Sequence, residues 1–327
     1  EVAPLLVPYY ERTEDHAKLA AALEIVLERT TVPDARVAIL RRLEMLYGRR
    51  LGNARAAYEA AARVFEMTPD DAEVRGDLVA LADQLDCYAD LAQRFATALE
   101  KADEKSDLAR DLAWGLALLS DERLGRLDDA RLYYSLVLDL DPDHGPAFDA
   151  LGRIYRQEES FPELRALLER RQTREPDAAA RRELLYHICD LDEGVLEDAA
   201  HAIGAYESVL ELDPAQVRAY KALERLYAGA GRWRDLDELL ARELAVAADE
   251  VEQVQLQHRR ADLHAGQLDD PVGAVDLLEE VVARVPSHDP ARKALERFLG
   301  RPELRQRVAR TLEPLYEADG QWPKLVS

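Results

Sequence analysis

Three carboxylates stand at alternate positions in Asp139-Leu-Asp141-Pro-Asp143-His-Gly145, which is how a calcium loop begins. Such a loop also needs glycine at its sixth place and a bidentate glutamate at its twelfth. Here His144 and Ala150 occupy those places, so the segment reads as an inter-helix turn. His258 and His264 lie six apart around Asp262, a spacing that does not share one helix face as three or four would. Cys87 offers a thiol in the turn Asp86-Cys87-Tyr88, with no histidine placed to act as its base. Cys189 is too distant to complete a zinc spacing or a disulfide framework, which points to a reducing compartment. No G-x-S-x-G, phosphate-cradling glycine loop or H-E-x-x-H is present. The acidic pairs Asp128-Asp129 and Asp269-Asp270 precede helical segments, where they complement the helix dipole. We therefore expect no catalytic residue, no cofactor and no metal site, and do not read the chain as an enzyme.

The elements that carry these residues follow from composition and period. The chain has 327 residues, with 43 basic and 65 acidic side chains and a formal net charge of −22. That balance disfavours nucleic acid and anionic membranes as partners, because both are bound through broad positive surfaces. No apolar run reaches the ~18 residues that cross a bilayer, and no charged-then-apolar export signal is visible at Glu1, which leaves room for a leader upstream. A cytoplasmic location is the expectation, with the N-terminus open to truncation.

Pro69, Pro142, Pro214 and Pro286 recur at intervals of 73, 72 and 72 residues. Ala57, Ala130, Ala202 and Ala274 keep the same register, as do Val64, Val137, Val209 and Val281. Tyr88, Phe161 and Trp233 form a third series, which extends to His16 and, past an insertion, to Trp322. Within a period the apolar residues fall on helical spacing: Ala202, Tyr206, Val209 and Leu210 in 197–211, then Val217, Tyr220, Leu223 and Tyr227 in 215–229. Prolines and Gly229-Ala-Gly231 punctuate them, and no strand pattern appears. About eighteen helices are expected, two hairpins per period.

These hairpins resemble the tetratricopeptide repeat, whose pattern is W-x2-L-G-x2-Y, then A-x3-F, then P. Phe148, Leu151, Gly152, Tyr155 and Pro176 match the first and last parts, while Ala130-x3-Tyr134 and Ala202-x3-Tyr206 match the middle. Ala61 stands where an aromatic is usual, and Glu224 and Glu296 replace the glycine. The turns and acidity resemble in style those of large bacterial repeat proteins, myxobacterial ones among them. The resemblance implies an all-α, right-handed α-solenoid of about eight antiparallel hairpins plus a partial one. It would run through residues 1–327 as a single array cut from a longer one, since 8–19 align with 314–325.

By the same resemblance the first helix of each hairpin lines a concave groove where partners bind. In 215–229 that face carries Arg218, Lys221 and Arg225; one period earlier it carries Arg153 and Arg156, and one period later Lys293 and Arg297. The matching face of 72–84 turns acidic, with Glu73, Asp77 and Asp83. The resulting expectation is a protein–protein scaffold that grips an acidic segment or chain terminus, with self-association through open ends as a further possibility. Short loops and scarce aromatics argue against a helical toroid enzyme; a regulatory arm of a larger multidomain protein is the alternative. Far-ultraviolet circular dichroism should show a helical spectrum, and substantial strand signal would contradict the repeat reading.

Overall fold

The computed structural model describes residues 3–320. They form eighteen α-helices and, among the described residues, no strand. The chain divides into two compact units, Glu1–Ser160 and Phe161–Ser327. The first holds α1 (Ala3–Arg12), α2 (His16–Arg29), α3 (Pro33–Met45), α4 (Ala54–Met67), α5 (Ala72–Leu85), α6 (Tyr88–Leu99), α7 (Asp107–Leu118), α8 (Leu127–Leu140) and α9 (Gly145–Gln157). The second holds α10 (Phe161–Arg174), α11 (Ala178–Gly194), α12 (Ala199–Leu212), α13 (Val217–Gly229), α14 (Trp233–Val246), α15 (Glu250–Gly266), α16 (Pro271–Arg284), α17 (Asp289–Phe298) and α18 (Pro302–Ala318). Consecutive helices pack as hairpins joined by short turns, α1 with α2 through α7 with α8 in one unit and α11 with α12 through α17 with α18 in the other.

The repeat register becomes core packing. Ala57, Ala130, Ala202 and Ala274 are at most 1% exposed, and Val64, Val137, Val209 and Val281 are fully buried. A methyl side chain at the first position lets the paired helices approach closely, and the tyrosine one turn later, Tyr134 or Tyr206, fills the space beside it. Leu151, Leu223 and Tyr227 are buried as expected, whereas Tyr155 is only half-buried. Val217, expected on the apolar face, is 53% exposed, because it opens α13 at the hairpin's edge, where no neighbouring helix covers it. His16, Tyr88, Phe161 and Trp233 each form the first residue of a second helix. Trp322 lies outside the described residues, as do residues 321–325 of the terminal alignment.

Helix termination repeats as strictly as the core. The first helix of each long hairpin ends in a widened backbone bond, from Leu51 to Leu46, Leu124 to Leu119, Leu196 to Leu191 and Leu268 to Leu263. The turn then passes through a left-handed residue: Gly52, Gly125, Glu197 and Asp269. The other hairpins use Glu14, Asp86, Glu159 and Gly231 in the same way. Glycine adopts this conformation freely, whereas a Cβ there strains the backbone by ~1 kcal/mol or more. Asp139–Gly145 is the turn between α8 and α9: Asp141 accepts from the Asp143 amide at 3.3 Å, and His144 caps α9 by accepting from Ala147 at 3.1 Å.

The capping position of the short hairpins is held by a different partner in every period. Asp71 pairs with Arg41, His144 stacks on Trp114 at 4.6 Å, Gln216 accepts from the Tyr186 hydroxyl at 3.1 Å, and His288 meets His258 at 5.4 Å. Both members of each pair stay in register, so the contact is kept while its chemistry changes.

Glu159→Gly and Glu197→Gly should each stabilise the protein by up to about 1 kcal/mol, because relief of left-handed strain exceeds the added unfolded-state entropy. Both side chains are exposed. Thermal unfolding would check this, and a fall in Tm for both variants would contradict the account.

Candidate functional site

The seven basic residues expected in the groove lie on three first helices. Arg153 and Arg156 are on α9 of the first unit; Arg218, Lys221 and Arg225 on α13, and Lys293 and Arg297 on α17, belong to the second. All seven are exposed. Their spacing therefore places them on solvent-facing surfaces as expected. The structure does not bring α13 and α17 together, because α15 packs in sequence between their hairpins. What lies beside α13 is α11, and α11 is acidic there.

Arg218 reaches Asp190 and also covers the Tyr186 ring, with its guanidinium carbon 4.3 Å from the ring centre. Arg225 reaches Glu193, which also accepts from the Tyr206 hydroxyl at 2.7 Å. Burial first, and the Glu193 hydrogen bond second, push the Tyr206 phenol well above its usual range, so it remains a donor at physiological pH. The same three-part arrangement occurs in the first unit: Arg153 reaches Asp121, which accepts from Tyr134 at 3.1 Å. Tyr134, Asp121 and Arg153 are each 72 residues before Tyr206, Glu193 and Arg225. Lys293 pairs within its own helix, 2.6 Å from Asp289. Arg156, Lys221 and Arg297 form no ion pair among the described residues.

Asp121, Asp190 and Glu193 were not visible to reasoning along one helix face, because they sit on the preceding first helix. The signal that could have found them is the separation. Arginines meet carboxylates about one hairpin away throughout both units: Arg41 with Asp71, Arg75 with Asp111, Arg94 with Glu59, Arg182 with Asp213, Arg259 with Glu224, and Arg307 with Glu279. Most are partly exposed and worth only ~0–1 kcal/mol each. Their main effect is to set which faces neighbouring hairpins present to one another.

One cluster is different because it is buried. Asp192 is fully buried, bonded to Arg165 at 2.9 Å and to His201 Nδ1 at 2.6 Å. In the next period the position is His264, set between Asp237 at 3.2 Å and Asp270 at 2.9 Å. The charge has swapped while the contact survives, which marks a structural role. Cys189, beside this cluster, is buried, and its thiol is pushed up to about 12 by burial first and the Asp190 carboxylate second. It is therefore no nucleophile. Among the described residues no group of histidine, cysteine and carboxylate side chains could hold a metal ion, and no helix is long and apolar enough to cross a membrane.

No family model matches the chain, and no curated protein matches it. Solved structures similar to it include YrrB, described as a TPR protein with an unusual peptide-binding site, at 19% identity over 63% of this chain and 99% of that one, with a TM-score of 0.29. A tetratricopeptide repeat protein from Parabacteroides merdae is 14% identical over 80% of this chain and 97% of that one, with a TM-score of 0.33. The TPR domain of P58(IPK) is 14% identical over 96% and 92%, with a TM-score of 0.26. The tetratricopeptide-like character of the chain lies in its own hairpins and their alanine, tyrosine and proline register.

Arg225→Ala should cost less than about 1 kcal/mol, because its pair with Glu193 is exposed on the arginine side. Arg165→Ala should cost about 3 kcal/mol, because it removes the cationic partner of a fully buried carboxylate. Denaturant unfolding of the two variants checks the contrast, and equal effects would contradict it.

Proposed function

We propose that the chain is a non-enzymatic scaffold whose first-helix faces hold an acidic segment or chain terminus of a partner protein. The observation that carries this reading is Lys221, an exposed cation with no ion pair, flanked on α13 by Arg218 and Arg225. Those two arginines already hold carboxylates, so their chemistry for a partner carboxylate is in place. An incoming Asp, Glu or C-terminus would take over from Asp190 or Glu193. The exchange replaces one exposed pair by another, each worth ~0–1 kcal/mol, and is close to neutral. Lys221 gains a partner outright. Arg156 in the first unit and Arg297 on α17 offer the same unpaired charge, while Arg153 and Lys293 would exchange partners as the two arginines do.

Micromolar affinity corresponds to about 8 kcal/mol, more than a few exposed pairs supply. Binding through these residues alone is therefore weak, and a tight partner must also bury apolar surface. The net charge of −22 sets a further limit. A diffusely acidic partner is repelled at long range, so the fitting ligand is a short acidic stretch on a neutral or basic protein.

Lys221→Glu tests the reading with both intramolecular pairs intact, and the triple variant Arg218→Glu, Lys221→Glu, Arg225→Glu tests the whole face. With a fluorescein-labelled peptide ending in three glutamates, anisotropy titration at low salt should show at least a threefold loss for the single variant. The triple should lose at least tenfold while keeping a native circular dichroism spectrum. Unchanged affinity in a folded triple variant would leave the basic face as solvated surface only.

A further inference from the structure

The first period inverts the arrangement found in the next two. In register with Tyr134 and Tyr206 stands Ala61; with Asp121 and Glu193 stands Gly48; with Arg153 and Arg225 stands Ala80. All three large polar side chains of the cluster are thus replaced by small ones. Two carboxylates appear instead where other periods have small residues. Glu44 is in register with Ala117, Cys189 and Ala261, all buried, and Asp77 with Ala150, Ala222 and Ala294.

Gly48, Ala80, Glu44 and Asp77 line a cavity of about 470 Å³ between α3, the π-helical turn 46–50 and α5, with Ala57 of α4 among its walls. Met45, Gly48, Ala57, Ala80 and Leu81 give it apolar sides, and Glu44 and Asp77 face into it from opposite helices. Of the other charged groups lining it, Arg41 on α3 is engaged by Asp71 and Glu73 and offsets the pair only in part. Arg49 on the π-helical turn makes no ion pair among the described residues and lies exposed. Glu44 is half-buried and has no hydrogen-bond partner among the described residues. Its carboxyl is raised to about 7, by burial first and by Asp77 second, with Glu73 adding to the rise and Arg41 and Arg49 opposing it.

We propose that this cavity is a binding site for a lysine or arginine side chain presented by an extended segment of a partner protein. A long cationic side chain fits both parts of the site. Its methylenes pack against the alanines, Leu81 and Met45, as such stems do on apolar surfaces, and its charged head meets Glu44 and Asp77. The register itself states the missing chemistry, since the later periods supply an arginine from position 153 or 225 to a carboxylate on the preceding first helix. Here Ala80 holds that register position, and Glu44 and Asp77 face the space an arginine would enter from outside. The site is separate from the basic faces of α9, α13 and α17 and opposite in charge, and it stands or falls independently of them.

The test uses the full chain and three blocked pentapeptides, Ac-Ala-Ala-X-Ala-Ala-NH2, with X as arginine, lysine or norleucine. Binding is followed by NMR titration of the Ala57 and Ala80 methyl signals. The arginine or lysine peptide should saturate these shifts, and the norleucine peptide should bind at least tenfold more weakly. Glu44→Ala with Asp77→Ala installs the small residues that other periods carry at these positions, so the variant should fold and lose at least tenfold in affinity. Ala80→Arg supplies the guanidinium in cis and should block the cavity to the same extent. Affinity of the wild type should rise about tenfold from pH 6 to pH 8, as Glu44 ionises. Glu28→Ala with Glu104→Ala removes the same charge from exposed sites elsewhere and should change little. Equal loss in that control, or unchanged binding in the Glu44/Asp77 variant, would reduce the effect to the general negative field and overturn the site. If the double variant does not fold, Ala80→Arg decides alone: unchanged binding there overturns the proposal.

Discussion

The close approach of paired helices at Ala57, Ala130, Ala202 and Ala274 is the constraint on which the rest depends. A methyl group is the largest side chain that this contact admits. Once it is fixed, the next turn must carry something that fills the adjoining space, and Val64, Val137, Val209 and Val281 must lie in the core beyond it. A period of 72–73 residues follows, because two hairpins pass before the same contact recurs. Each hairpin buries its apolar stripe only against its neighbours, so stability is spread along the chain.

That period also decides the electrostatics. It brings residues about 27–35 positions apart to the same interface, where arginine meets carboxylate again and again. The positions are held more firmly than the residue types. At the cap of the short hairpins an ion pair, a ring stack, a hydrogen bond and a histidine pair do one task in four periods. At the buried polar position, Asp192 with Arg165 becomes His264 with Asp237. Complementarity across the interface is what the geometry requires, and several chemistries satisfy it.

Function enters where complementarity inside the chain is incomplete. On α13 the arginines have internal partners and the lysine between them has none. In the first period the relation is reversed, with Glu44 and Asp77 facing a cavity beside Ala80, the position held by Arg153 and Arg225 in the next two periods. The α13 face and the cavity therefore differ in the sign of the charge left unpaired, and each belongs to its own unit.

The helices, their turns and the residues of the core were legible in the sequence, because each is written in spacing along a single helix. Alanine, tyrosine and valine at fixed distances from a proline identify a buried face without knowledge of its neighbour. The exposure of Lys221, Arg218 and Arg225 was legible for the same reason. Val217 was misplaced because its period is right but its helix begins too near the hairpin's edge for anything to cover it. The partners of the basic residues were decided only in three dimensions. Asp190 and Glu193 lie on another helix, and which of many acidic side chains an arginine reaches depends on rotamer and interhelical packing, neither of which leaves a local pattern. The cavity lined by Glu44 and Asp77 is a further case. Gly48 and Ala80 carry no signal along the chain, and only folding brings them together beside Glu44 and Asp77.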